Sequence, residues 1–282
     1  MLKPSTPFLI AFMMLCVLIA CKKKDPNWPV PGNDKCIAEK AESAYDTLKP
    51  GWQPLYDRGY RFKKTFNSDG SVRQLYISTP GPSFKELVNG LVVKTGNSLF
   101  LLDSLTKDTA FRATLDANGR VLSSHLSRPY ANQDRAPYRY EYNDKGQLAL
   151  IFYYGDTSIK LYYDNSGDII TTSRLAPDGW EDVFYNISYD YTAPLKGSAY
   201  ELEIFSLEQQ ILEMLGYFDL SPRFKVTSVQ SADMPTISTK YFFDQQVNAA
   251  GYLTDYKSSI HWNYDYEEDT VSTHIIWRCP KP

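Results

Sequence analysis

A charge excess of either sign is missing from the 282-residue chain, in which 33 Asp and Glu stand against 30 Lys and Arg. It therefore lacks the basic footprint of a nucleic-acid binder. Cysteine is scarce, with 4 copies, and neither Cys36 nor Cys279 has a second cysteine at the short spacing of a metal site. The G-x-S-x-G elbow, the G-x-x-x-x-G-K-[ST] loop, H-E-x-x-H and a strand-borne G-x-G-x-x-G are all absent, so no catalytic residue, cofactor or metal is assigned. The sequence instead has an excess of tyrosine, 22 copies within 15% aromatics. Such rings suit pleated, half-buried surfaces and point to β-structure. At 43% hydrophobic residues the chain can fill a large core, which excludes global disorder and allows one large all-β domain.

The N-terminus carries an address. Lys3 is followed by an uncharged apolar run over residues 8–20 and then Cys21. A run of this length after a charged start reads as a secretory signal over residues 1–20, too short to span a bilayer comfortably. Leu18-Ile19-Ala20-Cys21 resembles the lipobox of bacterial lipoproteins, which implies acylation of Cys21 and attachment to a membrane through lipid. Several acyl chains at about 0.8 kcal/mol per buried methylene would make that attachment permanent. Lys22 directly after the cysteine resembles outer-membrane sorting signals and leaves open whether the domain faces periplasm or medium. Residues 21–34 include Pro26, Pro29 and Pro31 and read as an extended tether, since proline fixes φ and removes donors. The domain proper is then residues 35–282. In an oxidising envelope Cys36 and Cys279, at its two ends, are candidates for a disulfide, the alternative being two buried thiols.

One pattern recurs along this domain: an apolar or aromatic residue, Asn or Asp, two residues, Gly, one residue, an aliphatic. It joins Asn67 with Gly70, Asp116 with Gly119, Asn143 with Gly146, Asp164 with Gly167, and Asn248 with Gly251. An Asn or Asp side chain can bond the backbone two residues on, and Gly supplies the positive φ that closes a type I turn with a bulge after it. Each copy predicts a tight hairpin. Strand-like runs lie between them at 138–142, 148–154, 158–163, 169–175 and 182–191, so the expected fold is all-β, a large curved antiparallel meander, barrel-like if its edges meet. Two stretches depart from the pattern. Residues 206–216 predict a short covering helix, with a capping box from Ser206 to Gln209, Leu207, Ile211, Leu212 and Leu215 on one face, and Gly216 as a stop. Residues 35–48 suit an N-terminal helix, with Ile37, Ala41, Ala44 and Leu48 in period.

The lipobox, the proline-bearing tether and the hairpins, together with Glu213-Met214-Leu215-Gly216, Leu220-Ser221-Pro222 and Tyr252-Leu253-Thr254-Asp255-Tyr256, resemble a family of Bacteroidota lipoprotein domains of unknown function. The hairpins are similar to the tyrosine-aspartate repeats of large secreted shell proteins. The likeness covers most of residues 51–277, and the last copy departs from it, with Val247-Asn248 in place of Tyr-Asp. It implies a curved β-structure on the cell envelope and brings no catalytic residue.

Two constellations remain. A turn centred on Glu267 and Glu268 would set His261 opposite His274, on one face with Asp265. That set could hold a divalent ion, or be the solvated face of an edge hairpin, and no metal is assigned to it. Tyr140, in the run 138–142, and Tyr154, beside the Gly155-Asp156 turn, could stack on a sugar or form ordinary cross-strand ladders. The expectation is a non-catalytic, lipid-anchored envelope protein that binds a ligand or partner, a glycan or an outer-membrane complex first. The alternatives are a structural or assembly subunit and a hydrolase with a carboxylate pair.

Overall fold

The computed structural model describes residues 36–45, 61–78, 86–127, 137–153, 157–200, 202, 204–232, 238–262 and 270–279. Their strands are β1 Ile37–Tyr45, β2 Arg61–Phe66, β3 Val72–Ser78, β4 Glu86–Thr95, β5 Ser98–Asp103, β6 Thr109–Leu115, β7 Val121–Leu126 and β8 Tyr138–Tyr142. They continue as β9 Leu148–Phe152, β10 Ser158–Tyr163, β11 Ile169–Leu175, β12 Glu181–Pro194, β13 Phe224–Ser231, β14 Ser238–Val247, β15 Leu253–Trp262 and β16 Val271–Arg278. Each strand is hydrogen-bonded to the next, and β16 returns to β1 to close a barrel. Closure leaves no sheet edge to recruit another chain.

The repeated turns explain how the meander is made. In the copy at residues 143–147 the Gly146 N–H donates to the Asn143 carbonyl (2.8 Å) and the Asn143 N–H to the Gln147 carbonyl (2.9 Å). Asn143 Oδ1 accepts from the backbone N–H of Lys145 and of Gln147, each at 3.0 Å. Gly146 has φ +77, a conformation that costs an L-residue about 1–2 kcal/mol. Asp116, Asp164 and Asn248 use their Oδ1 in the same way. In the first copy Asp69 accepts from the Ser71 N–H instead. One strand residue is bulged out beyond every one of these turns, where Tyr142 faces Leu148 but Glu141 faces Leu150. The same slip follows Phe66, Leu115, Tyr163 and Val247. The slip resets the alternation so that the aliphatic closing each copy points inward. Val72, Val121, Leu148, Ile169 and Leu253 are all buried.

Because the chain reverses at every strand, connections after even-numbered strands share one end of the barrel. All five repeat turns therefore lie at that end, together with the start of β1, the end of β16 and the β12–β13 connection. Cys36 and Cys279 meet there in a disulfide. Connections after odd-numbered strands lie at the opposite end, where several, such as residues 79–85 and 128–136, fall outside the described residues.

The interior is packed rather than hollow. Leu75, Ile77, Leu99, Leu101, Phe111 and Ile151 are fully buried, each worth about 1.5–3 kcal/mol relative to exposure. Helix α1, Leu207–Met214, enters from the β12–β13 connection and buries Glu208, Gln209, Ile211, Leu212 and Met214. A Schellman stop ends it, with the Gly216 N–H on the Glu213 carbonyl and the Tyr217 N–H on the Leu212 carbonyl, both 2.8 Å. Charged side chains stand on the outer wall: Glu42, Lys63, Arg112, Arg139, Glu141 and His274 are exposed at positions within strands. A lipid-spanning barrel has the opposite polarity, an apolar band outside and polar groups within, and a Lys or Arg at its midplane costs about 2–4 kcal/mol. These walls suit water.

Two expectations are corrected. The helix expected over residues 35–48 does not form in its described part, where Ile37–Tyr45 is a strand paired with both β16 and β2; residues 35 and 46–48 lie outside the described residues. A bulge between Ala38 and Lys40 breaks the two-residue alternation, and the resulting apolar spacing imitates helical period. The turn after β15 does not pair His261 with His274 either. His274 faces Asp255, while His261 faces Thr239 of β14, and residues 263–269 lie outside the described residues.

Candidate functional site: a cavity at the tight-turn end

The β12–β13 connection does not simply cross the barrel end. It is stitched to the repeat turns: the Lys196 N–H donates to the Gly251 carbonyl (2.8 Å) and the Arg223 N–H to Asp168 Oδ1 (2.8 Å). Ser198 Oγ donates to the Pro222 carbonyl (2.9 Å). Between this connection, the last turn of α1, the first residues of β1 and β3, and Phe62 and Lys64 of β2 remains a cavity of 310 Å³. Its walls are largely apolar, with Phe62, Leu202, Phe205, Met214, Phe218 and Trp277 among them. A volume at the lower end of the ligand-pocket range, about 300–1,000 Å³, suits a small guest.

Two ionisable groups line the same space, Lys64 from β2 and Glu213 from α1. Lys64 is 4% exposed, because strand alternation places it on the inward face with Phe62. Its Nζ lies 5.2 Å from the centre of the Phe62 ring, an attraction between the ammonium and the ring face. Burial pulls the Lys64 ammonium down to about 8, against the opposing attraction of Glu213. Burial pushes the Glu213 carboxyl up to about 7, and nearby Asp219 adds to this, while Lys64 and a hydrogen bond from Ser221 oppose it. Glu213 is half-buried and lines the cavity. Lys196 and Asp219 stand at the exposed rim, with Asp219 3.7 Å from Arg223. The site thus pairs an apolar container with one acid and one base, both able to exchange a proton near neutrality.

The residues singled out from the sequence fall elsewhere. Tyr140 is inside the barrel, 3% exposed; its hydroxyl bonds Ser124 Oγ (2.6 Å) and accepts from Gln209 Nε2 (3.1 Å), and its ring meets Phe218 edge-on at 5.1 Å. It braces α1 and offers no open face to a sugar. Tyr154 lies outside the described residues, as do the signal, Cys21 and the tether. The ten turn residues are scaffold and surround the cavity end; Gly70 alone among them lines it. Cys36 contributes to the wall. His274 Nδ1 bonds Asp255 Oδ1 at 2.7 Å on the outer wall, where no group of three metal-binding side chains forms among the described residues. Sequence reading missed Lys64 and Glu213. The alternation Phe62, Lys64, Phe66 carried the signal for the first, since it puts a lysine between two aromatics on one face.

No family model and no curated protein matches the chain. Among solved structures it is similar to a porin-like protein from Bacteroides uniformis, with 15% identity and a TM-score of 0.58 over 86% of this chain and 98% of that one. A Photorhabdus luminescens Tc holotoxin pore aligns at 11% identity and a TM-score of 0.27, over 79% of this chain and 15% of that one. The first likeness shows the barrel fold, and the fold does not by itself carry an activity.

Proposed function

We propose that the chain is a lipid-anchored, non-catalytic protein of the cell envelope whose barrel holds a small, mainly apolar guest in the cavity at its tight-turn end. The observation that carries this reading is the cavity itself, with apolar walls and two buried ionisable groups, beside the disulfide from which the chain leads back to Cys21. On this reading the tether holds that end toward the membrane and the connections after odd-numbered strands face away from it. The charged outer wall supports a barrel that stands beside the bilayer rather than in it. A glycan, the first guest suggested by the tyrosines, finds Tyr140 already engaged inside, so the chemistry of the cavity favours an apolar body instead.

A docking role is the second reading. It is favoured by Tyr241 and Phe243, which alternate with buried neighbours along β14 and are 46% and 37% exposed. Displacement of an apolar fluorescent dye separates the two readings. Dye binding that Met214→Trp removes, in a variant with unchanged unfolding, supports the cavity. Dye binding that survives Met214→Trp and is lost in Tyr241→Ser/Phe243→Ser supports the outer wall. Labelling with radioactive palmitate, lost in Cys21→Ser, tests the anchor.

A further inference from the structure

We infer that the cavity is built to receive the carboxylate end of its apolar guest, with Lys64 as the group that reads it. This rests on the guest-binding reading above and names the class of guest. Lys64 brings three N–H donors and a positive charge to an almost fully buried position. Among the described residues its neighbours are the Phe62 ring and the charge of Glu213, and no oxygen accepts a hydrogen bond from it. Glu213 is itself engaged by Ser221. A buried ammonium with spare donors in a largely apolar cavity is complementary to an anionic acceptor carried on an apolar body. An alcohol would satisfy a donor but leave the charge, and an amine would be repelled.

Size narrows the class further. A cavity of 310 Å³, at the lower end of the ligand-pocket range of about 300–1,000 Å³, is on the scale of a medium-chain fatty acid or an aryl-alkanoate rather than a phospholipid.

Glu213 sets the condition for entry. A carboxylate arriving at Lys64 meets a second carboxyl, Glu213 of α1, lining the same cavity, and two carboxylates sharing a site do not both stay ionised. Glu213 therefore takes one proton from solvent as the guest binds, and in that form it can donate a hydrogen bond to the guest. Of the other charged groups at this end, Lys196 and Asp219 line the cavity at its exposed rim, Arg223 stands 3.7 Å from Asp219, and Asp168 is buried against the Arg223 N–H.

The test uses the intact chain in phosphatidylcholine nanodiscs, titrated with octanoate carrying 13C at its carboxyl and read by NMR, with empty discs as the background. Octanol, read by competition with the apolar dye, is the neutral control. Octanoate is expected to bind at least tenfold more tightly than octanol, and Lys64→Met to erase that difference. From pH 7 to 8 the affinity for octanoate should fall up to tenfold in the natural chain and much less in Glu213→Gln. Equal affinity for octanoate and octanol, unchanged by Lys64→Met, would overturn the carboxylate assignment while leaving the cavity as a guest site. If octanoate, octanol and the dye all fail to bind above empty discs, the guest-binding reading falls and takes this inference with it.

Discussion

The bridge between Cys36 and Cys279 closes the chain where the barrel closes, and its removal has a calculable effect. The two cysteines are 243 residues apart. Closing a loop of that length removes about 5.5 kcal/mol of denatured-chain entropy on the loop-length relation, while native bridges in practice contribute about 2–5 kcal/mol. Part of the closure survives without sulfur. β1 and β16 are paired from Ile37 with Arg278 to Tyr45 with Val271, and the Cys36 N–H donates to the Tyr252 hydroxyl at 3.0 Å. The double substitution Cys36→Ser/Cys279→Ser should therefore leave a folded barrel that is less stable by about 2–5 kcal/mol. Urea unfolding followed by tryptophan fluorescence reads the change, with dithiothreitol on the natural chain as an independent route to the same state. Hydrogen exchange should quicken first in β1 and in the last residues of β16. A shift below about 0.5 kcal/mol, the scatter of neutral surface changes, would refute the view that this bridge constrains the ends of the chain.

Other consequences follow from individual residues. Gly146→Ala meets open space around its Cβ, so only the backbone resists, and a loss of about 1–2 kcal/mol is expected in the same urea assay. Tyr140→Phe strips a partner from buried Ser124 and Gln209 and should cost about 1–3 kcal/mol, whereas Tyr241→Phe on the outer wall should be neutral. Between its ordinary 4.5 and about 7, Glu213 holds a proton in the folded state that the unfolded chain has lost, so stability falls as pH rises through that window. Between about 8 and its ordinary 10.5, Lys64 has lost a proton that the unfolded chain keeps, so stability rises there. Urea midpoints should pass through a local minimum near pH 7–8, and Glu213→Gln should flatten the acid limb. In planar bilayers the packed interior, with Leu75, Leu99 and Phe111 fully buried, should give no stepwise conductance, and steady channel openings would contradict that packing.

Most of the barrel was legible because its punctuation is local. An Asn or Asp with a Gly three residues on defines a turn by hydrogen bonds that involve only neighbours, and five copies define which end they share. Helix α1 was legible for the same reason, through Ser206, Gln209 and Gly216. β1 was not, since Ala, Glu and Lys favour helix locally and only pairing with the distant β16 overrides them. The β15–β16 register failed because the connection is longer than a tight turn, and a shift in pairing moves His274 from His261 to Asp255. Of the candidate site, the sequence offered Lys64 through alternation with Phe62 but hid Glu213. Glu213 reaches the cavity only because α1 turns into the barrel rather than lying across it.

The proposal that a small guest occupies the tight-turn end is tested most directly by native mass spectrometry of the lipidated protein released from its own envelope. The expected result is a discrete added mass, equivalent to one small acidic molecule, that disappears in Met214→Trp and weakens in Lys64→Met. A natural chain that leaves the envelope at its bare lipidated mass, under conditions that preserve octanoate added as a control, would contradict the account.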